Sequence, residues 1–150
     1  MNENAKIISA FCGTGKTYLV SRNPDFLEFE CWKYSDSPEF PDNICKDILS
    51  HYGSAEIIFI STNPAVVSAL WNRGIKDITM IIPEISLKCE YIERFVARRS
   101  PQDFIGAIAV YWETWLLEAS NNKMVKHVFL KSGQYIDDVL TSKQHEIHNI

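Results

Sequence analysis

The sequence predicts an α/β fold in which helices cover both faces of a parallel sheet. Two observations predict it. Apolar, β-branched segments alternate with amphipathic ones along the chain, the order that builds βαβ units. Segments 55–61 (AEIIFIS) and 77–83 (DITMIIP) are apolar with little alternation, as strands buried on both faces are.

The first strand is read at 6–11 (KIISAF), followed by a glycine-containing turn and a short helix over 17–22 that stops near Pro24. Residues 25–30 (DFLEFE) alternate loosely as a second strand. Pro41 and Asp42 open a helix that runs to His51 and closes at Gly53. After the strand at 55–61, Asn63-Pro64 supplies a cap and a first-turn proline for a helix ending near Gly74. The strand at 77–83 leads to a helix over 87–99, with Leu87, Tyr91 and Phe95 four apart on one face. Ser100-Pro101-Gln102-Asp103 reads as the capping sequence of a long helix to about Ser120, with Phe104, Ile108, Trp112, Trp115 and Ala119 as its buried stripe. A last strand at 127–131 and a final helical turn at 136–140 complete a single domain over 1–150.

Bulk composition removes several function classes. A formal charge of −4 and a pI near 5.5 provide no basic field for a nucleic-acid backbone. No apolar run approaches the roughly 18 residues of a membrane span, and the N-terminal Met-Asn-Glu-Asn lacks the pattern of a signal peptide. The four cysteines, Cys12, Cys31, Cys45 and Cys89, have no C-x-x-C spacing, so a reduced, cytoplasmic protein is expected. His145 and His148 form H-x-x-H in a polar tail, read as surface rather than as a metal clasp.

The chemistry concentrates in Ala10-Phe11-Cys12-Gly13-Thr14-Gly15-Lys16-Thr17, between the first strand and the first helix. It fits the Walker A pattern G-x-x-x-x-G-K-[S/T] except that alanine replaces the first glycine. The run G-x-G-K-[S/T] arises by accident in roughly one chain of this length in 200, and its strand–turn–helix setting makes accident rarer. Cys12, Gly13, Thr14 and Gly15 are read as offering backbone N–H groups to phosphate oxygens. Lys16 would reach the outer phosphates and Thr17 would hold Mg²⁺.

Other P-loop classes fit less well. The strand at 55–61 runs into Ser61-Thr62-Asn63 and not into a Walker B carboxylate, and D-x-x-G occurs only at Asp103 to Gly106, at a helix start. No N-K-x-D follows, so the GTPase reading fails. Carboxylates stand instead at the end of the second strand, where ligands of parallel sheets collect. Glu28 and Glu30 are two apart and share a face; Glu30 is taken as the metal and catalytic partner, Glu28 as substrate-facing. Trp32 and Tyr34 are candidates to stack on an acceptor base, with Thr62 and Asn63 also on the acceptor side. Arg94 and Arg98, four apart on one helical face, are candidates to neutralise migrating charge. Arg99 follows beside a hinge at Ser100-Pro101. Glu90, four before Arg94, offers the competing reading of surface pairing.

The loop, the acidic end of strand two, the KCEYIERFVARR helix and the closing SGQYIDDVL together resemble the small P-loop nucleotide kinases of phages and prophages, relatives of adenylate and deoxynucleoside monophosphate kinases. The resemblance spans nearly the whole chain, and only its P-loop is specific by itself. It implies a P-loop NTPase-type three-layer α/β/α sandwich with a five-stranded parallel sheet and a lid-like region at about 87–101. It further implies ATP and Mg²⁺ as cofactors and a small-molecule phosphoryl acceptor, a nucleotide or nucleoside. Arg94, Arg98 and Arg99 would be lid-type arginines, with Arg94 and Arg99 on the triphosphate. The chain departs from the family in carrying Glu28-Phe29-Glu30-Cys31-Trp32 where an aspartate- and serine-rich stretch is usual. That departure keeps open a sugar or polynucleotide 5′ end as acceptor, or a nucleotide-sensing protein without transfer activity.

Overall fold

A computed structural model of the chain describes residues 4–140; His145 and His148 lie outside them. Five strands, β1 (Lys6–Ala10), β2 (Phe26–Phe29), β3 (Ile57–Ile60), β4 (Ile78–Pro83) and β5 (Lys126–Leu130), form one sheet of order β2-β3-β1-β4-β5. Every neighbouring pair is parallel. Helices α1 (Lys16–Arg22), α2 (Asp42–His51), α3 (Pro64–Asn72), α4 (Lys88–Ala97), α5 (Gln102–Ser120) and α6 (Ile136–Val139) cover it. This is the three-layer α/β architecture of P-loop NTPases.

Strand order decides which face each helix takes. The step from β1 to β2 runs toward one edge, and every later step runs toward the other. Right-handed crossovers therefore put α1 on one face and α2 to α5 on the opposite one. The core follows this division. Ile7, Ile58, Ile60, Met80 and Ile82 pack with α2 to α5, whose contributions include Ile48, Leu70, Phe95 and Trp112. Ile8, Ala10, Phe59, Ile81 and Val128 pack with Leu19 of α1 and with Ile136 and Val139 of α6. Alternate residues of each strand thus meet apolar layers on both sides, the cause of the uninterrupted apolar runs.

β1 is the middle strand. The connection leaving it passes over the α1 face, whereas that leaving its neighbour β3 passes over the other. Their carboxyl ends consequently bound a crevice, the usual ligand position in open α/β sheets.

Three local expectations are corrected. In α5 the buried residues are Ile108, Trp112, Leu116 and Ala119, while Trp115 is 37% exposed. Trp115 and Phe104 lie about 60 to 80° to one side of the stripe's centre at 100° per residue. No side chain caps α5: Pro101 holds the cap position, and Asp103 Oδ1 accepts only from the adjacent Phe104 N–H at 2.9 Å. Strand pairing in β2 stops at Phe29, so Glu30 instead opens a 3-10 turn at Cys31–Lys33. Among the described residues, no helix is long and apolar enough to cross a membrane.

Candidate functional site

The turn between β1 and α1 is held from behind by its carbonyl groups. Phe11 O accepts from Thr14 Oγ1 at 2.6 Å and from Lys16 Nζ at 3.2 Å. Gly13 O accepts from Arg94 Nη1 at 2.8 Å. Thr14 O accepts from Ile136 N at 2.9 Å, and Gly15 O from Leu19 N at 3.2 Å. In a planar trans peptide the carbonyl and the following N–H point in opposite directions. Tying back these four carbonyls therefore turns the N–H groups of Cys12, Thr14, Gly15 and Lys16 the other way. None of those four has an acceptor in another described residue. Unpaired donors gathered at a helix start form an anion-binding nest.

The turn needs its glycines. Gly13 and Gly15 have φ of +79° and +101°, in the left-handed region. A Cβ on Gly13 would also lie 2.9 Å from Phe95 Cζ and 3.2 Å from Tyr91 Cδ2. Thr14 is fully buried, so its hydroxyl serves the turn internally.

The turn opens onto a cavity of about 930 Å³, lined by the carboxyl ends of β1, β2 and β3 together with residues after β5. That volume lies within the range of small-molecule sites. Lys16 lines it and folds back to Ala10 O at 2.8 Å. Burial pulls the Lys16 ammonium below its ordinary pKa, opposed by Cys12, Glu28 and Glu30. An anionic ligand would meet that loss of hydration directly. Burial pushes the Cys12 thiol up, against the pull of Lys16, so it remains a thiol at neutral pH and Cys12 contributes through its backbone.

Thr17 Oγ1 donates to Glu28 Oε1 at 2.9 Å. Glu30 also lines the cavity, but its carboxylate pairs with Lys33 at 3.2 Å. The glutamate beside the P-loop threonine is thus Glu28, because Glu30 has already left the strand. Trp32 lines the cavity and is 69% exposed. Tyr34 does not line the cavity: its hydroxyl donates to Asp47 Oδ2 at 2.7 Å, and burial with this carboxylate pushes its pKa up to about 12. Asn63 caps α3, accepting from Ala65 N at 2.9 Å. Neither Asn63 nor Thr62 lines the cavity, whereas their neighbour Ser61 does.

The three arginines separate. Arg98 lines the cavity, its guanidinium 4.8 Å from the Phe95 ring centroid. Arg94 lies behind the loop, holding Gly13 O. Arg99 lines no part of the cavity and terminates α4 with φ of 60°. Ser100 N donates to Phe95 O and Arg99 N to Val96 O, at 2.9 and 3.0 Å, a Schellman ending with arginine where glycine is usual.

Sequence reasoning missed Tyr135, Asp137 and Asp138, which reach the cavity from the segment after β5. The rule that ligands collect at strand carboxyl ends pointed to strand two, and it held equally for strand five. Four carboxylates (Glu28, Glu30, Asp137, Asp138) and two cations (Lys16, Arg98) line the cavity. Among the described residues, no group of three or more His, Cys, Asp or Glu could hold a metal ion unaided. The chain matches no family model, no curated protein and no solved structure.

Proposed function

We propose that the chain is an ATP-dependent phosphotransferase that moves the γ-phosphoryl group to a nucleotide or nucleoside. The observation that carries this reading is the set of four N–H groups turned away from their partnered carbonyls at the head of α1. Lys16 and Thr17 stand beside them. The resemblance to phage nucleotide kinases points the same way.

The excess of carboxylates in the cavity opposes a polyanion, so binding calls for a divalent cation that arrives with the triphosphate. Thr17 would be its protein ligand. A hydroxyl bound to metal must give its proton to an acceptor, and Glu28 is that acceptor for Thr17. Mg²⁺ would supply charge neutralisation on the phosphates. Arg98, exposed at the cavity edge, is suited to the migrating charge.

On the acceptor side, Trp32 and Phe104 offer aromatic surface for a base. In the transfer, the bond from the γ-phosphorus to the bridging oxygen breaks as a bond to the acceptor oxygen forms. A monophosphate acceptor presents an oxygen already ionised. A hydroxyl acceptor must lose a proton, for which Glu30 is the other carboxylate at the end of β2 once Glu28 is engaged by Thr17.

The test is ATP consumption against nucleosides, nucleoside monophosphates and deoxynucleoside monophosphates, with Lys16→Ala as control. Acceptor-dependent turnover that falls by about 100-fold or more in Lys16→Ala is expected. ATP binding without turnover on any acceptor would overturn the kinase and leave a nucleotide sensor.

A further inference from the structure

We propose that Arg94 and Glu90 form a positioning clamp that makes the phosphate loop and the turn after β5 order as one unit. Glu90, in the first turn of α4, accepts from Ser132 Oγ at 2.6 Å, Gly133 N at 2.8 Å and Arg94 Nη2 at 3.0 Å. Arg94, one helical turn on, donates to Gly13 O at 2.8 Å and to Gln134 O at 3.2 Å. Its guanidinium lies 4.2 Å from the Tyr91 ring centroid and 4.0 Å from that of Tyr135. Ile136 N closes the ring onto Thr14 O at 2.9 Å. Segments 13–15, 90–94 and 132–136 are far apart in the chain and share this one network.

The chemistry needs an arginine. A planar fork can serve two carbonyls and a carboxylate together while packing against two aromatic rings, which a point-charged ammonium cannot do. Holding Gly13 O fixes the peptide plane that carries the Thr14 N–H, and the Ile136 bond fixes the plane carrying the Gly15 N–H. Ser132 and Gly133, by hydrogen bonding, and Arg94, by its charge, hold the Glu90 carboxyl below its ordinary pKa, so the clamp stays ionised at neutral pH. Arg94 is only 13% exposed in its side chain. It acts on the phosphate site through the loop's backbone, as a positioning residue.

Amide hydrogen exchange on the nucleotide-free full chain tests this directly. In Arg94→Lys, the bonded amide of Leu19, which reports on the loop through Gly15 O, and those of Gly133 and Ile136 in the turn after β5 should exchange faster together, by about tenfold or more, while β1 and β4 keep their protection. Ser132→Ala, which removes one donor at the exposed end, should give a smaller rise in the same two segments and serves if Arg94→Lys fails to fold. Acceleration of one segment without the other overturns the clamp.

A second readout rests on the phosphotransferase reading. With ATP and Mg²⁺, Arg94→Lys should raise the KM for ATP about tenfold and leave kcat within about twofold. A fall in kcat at unchanged KM would place Arg94 on the transferring group and overturn the positioning role. If the unaltered chain binds no ATP, the phosphotransferase reading fails while the exchange result still decides the clamp.

Discussion

On the loop side of the cavity, the carbonyls of Phe11, Gly13, Thr14 and Gly15 are all tied to the protein, and Gly13 sits against the fully buried rings of Phe95 and Tyr91. On the opposite side, Trp32 is 69% exposed, Glu30 pairs with Lys33 at the surface, and Arg98 extends from a helix end. In one wall each of these carbonyls is held by the protein, whereas in the other the Trp32, Glu30 and Arg98 side chains are exposed or paired at the surface. A phosphate nest needs fixed donors, because donors that must reorganise lose most of their advantage over water. On the phosphotransferase reading the opposite wall meets the acceptor, and a wall that closes over its substrate needs the reverse.

The largest expected effect tests how tightly the loop wall is packed. Gly13→Ala should destabilise the fold by about 2 to 5 kcal/mol, combining the left-handed backbone cost with overpacking against Phe95. Gly133→Ala is the control: its φ is +78°, yet a Cβ there meets nothing within 4 Å. It should cost only the backbone term, about 1 to 2 kcal/mol. Denaturant midpoints of both variants decide it, and equal losses would mean that the aromatic wall yields.

The next effect separates the two glutamates across the divide. Glu28 accepts the Thr17 hydroxyl proton, and Glu30 is shared with a surface lysine. On the phosphotransferase reading, Glu28→Gln should lower turnover by about 10- to 100-fold and raise the Mg²⁺ concentration needed for half-maximal rate. Glu30→Gln should leave the Mg²⁺ requirement unchanged and affect only acceptors that present a hydroxyl. Steady-state rates over a Mg²⁺ series, with a nucleoside and a monophosphate compared, check both. A shifted Mg²⁺ requirement in Glu30→Gln alone would restore Glu30 as the metal partner.

What was legible in the sequence follows the same divide. The turn between β1 and α1 could be read because its geometry is local: Gly13, Gly15, Lys16 and Thr17 fall within five consecutive residues. The sheet could be read because burial on both faces leaves long apolar runs in β3 and β4. Glu28 and Glu30 could be found, but the preference given to Glu30 had no local basis, since which of them meets Thr17 turns on where strand pairing ends. Arg94 and Glu90 carried an i, i+4 signal with two readings, and nothing local indicates that Gly13 O lies within reach. Asp137 and Asp138 were missed because they join the site only through the position of β5 in the sheet. Trp115 lost its place to Leu116 because residues three and four beyond Trp112 both fit an apolar stripe, and only packing decides between them.

The smallest expected effect falls at the boundary between the walls. Arg99 has φ of 60° in the Schellman ending of α4 and makes no contact with the cavity. A non-glycine residue in that conformation costs about 1 to 2 kcal/mol, part of which glycine gives back through its freer unfolded chain. Arg99→Gly should therefore stabilise the fold by about 1 kcal/mol, read as a higher denaturant midpoint. If the KM for the acceptor is unchanged, arginine at this position is only an unfavourable cap. If the midpoint rises while acceptor KM rises too, the strain is kept for function, and Arg99 belongs with Arg98 as a charge that reaches the site on closure. No gain in midpoint would mean that the arginine side chain offsets its own backbone cost, and the loose character assigned to the acceptor wall would then stop short of the α4 terminus.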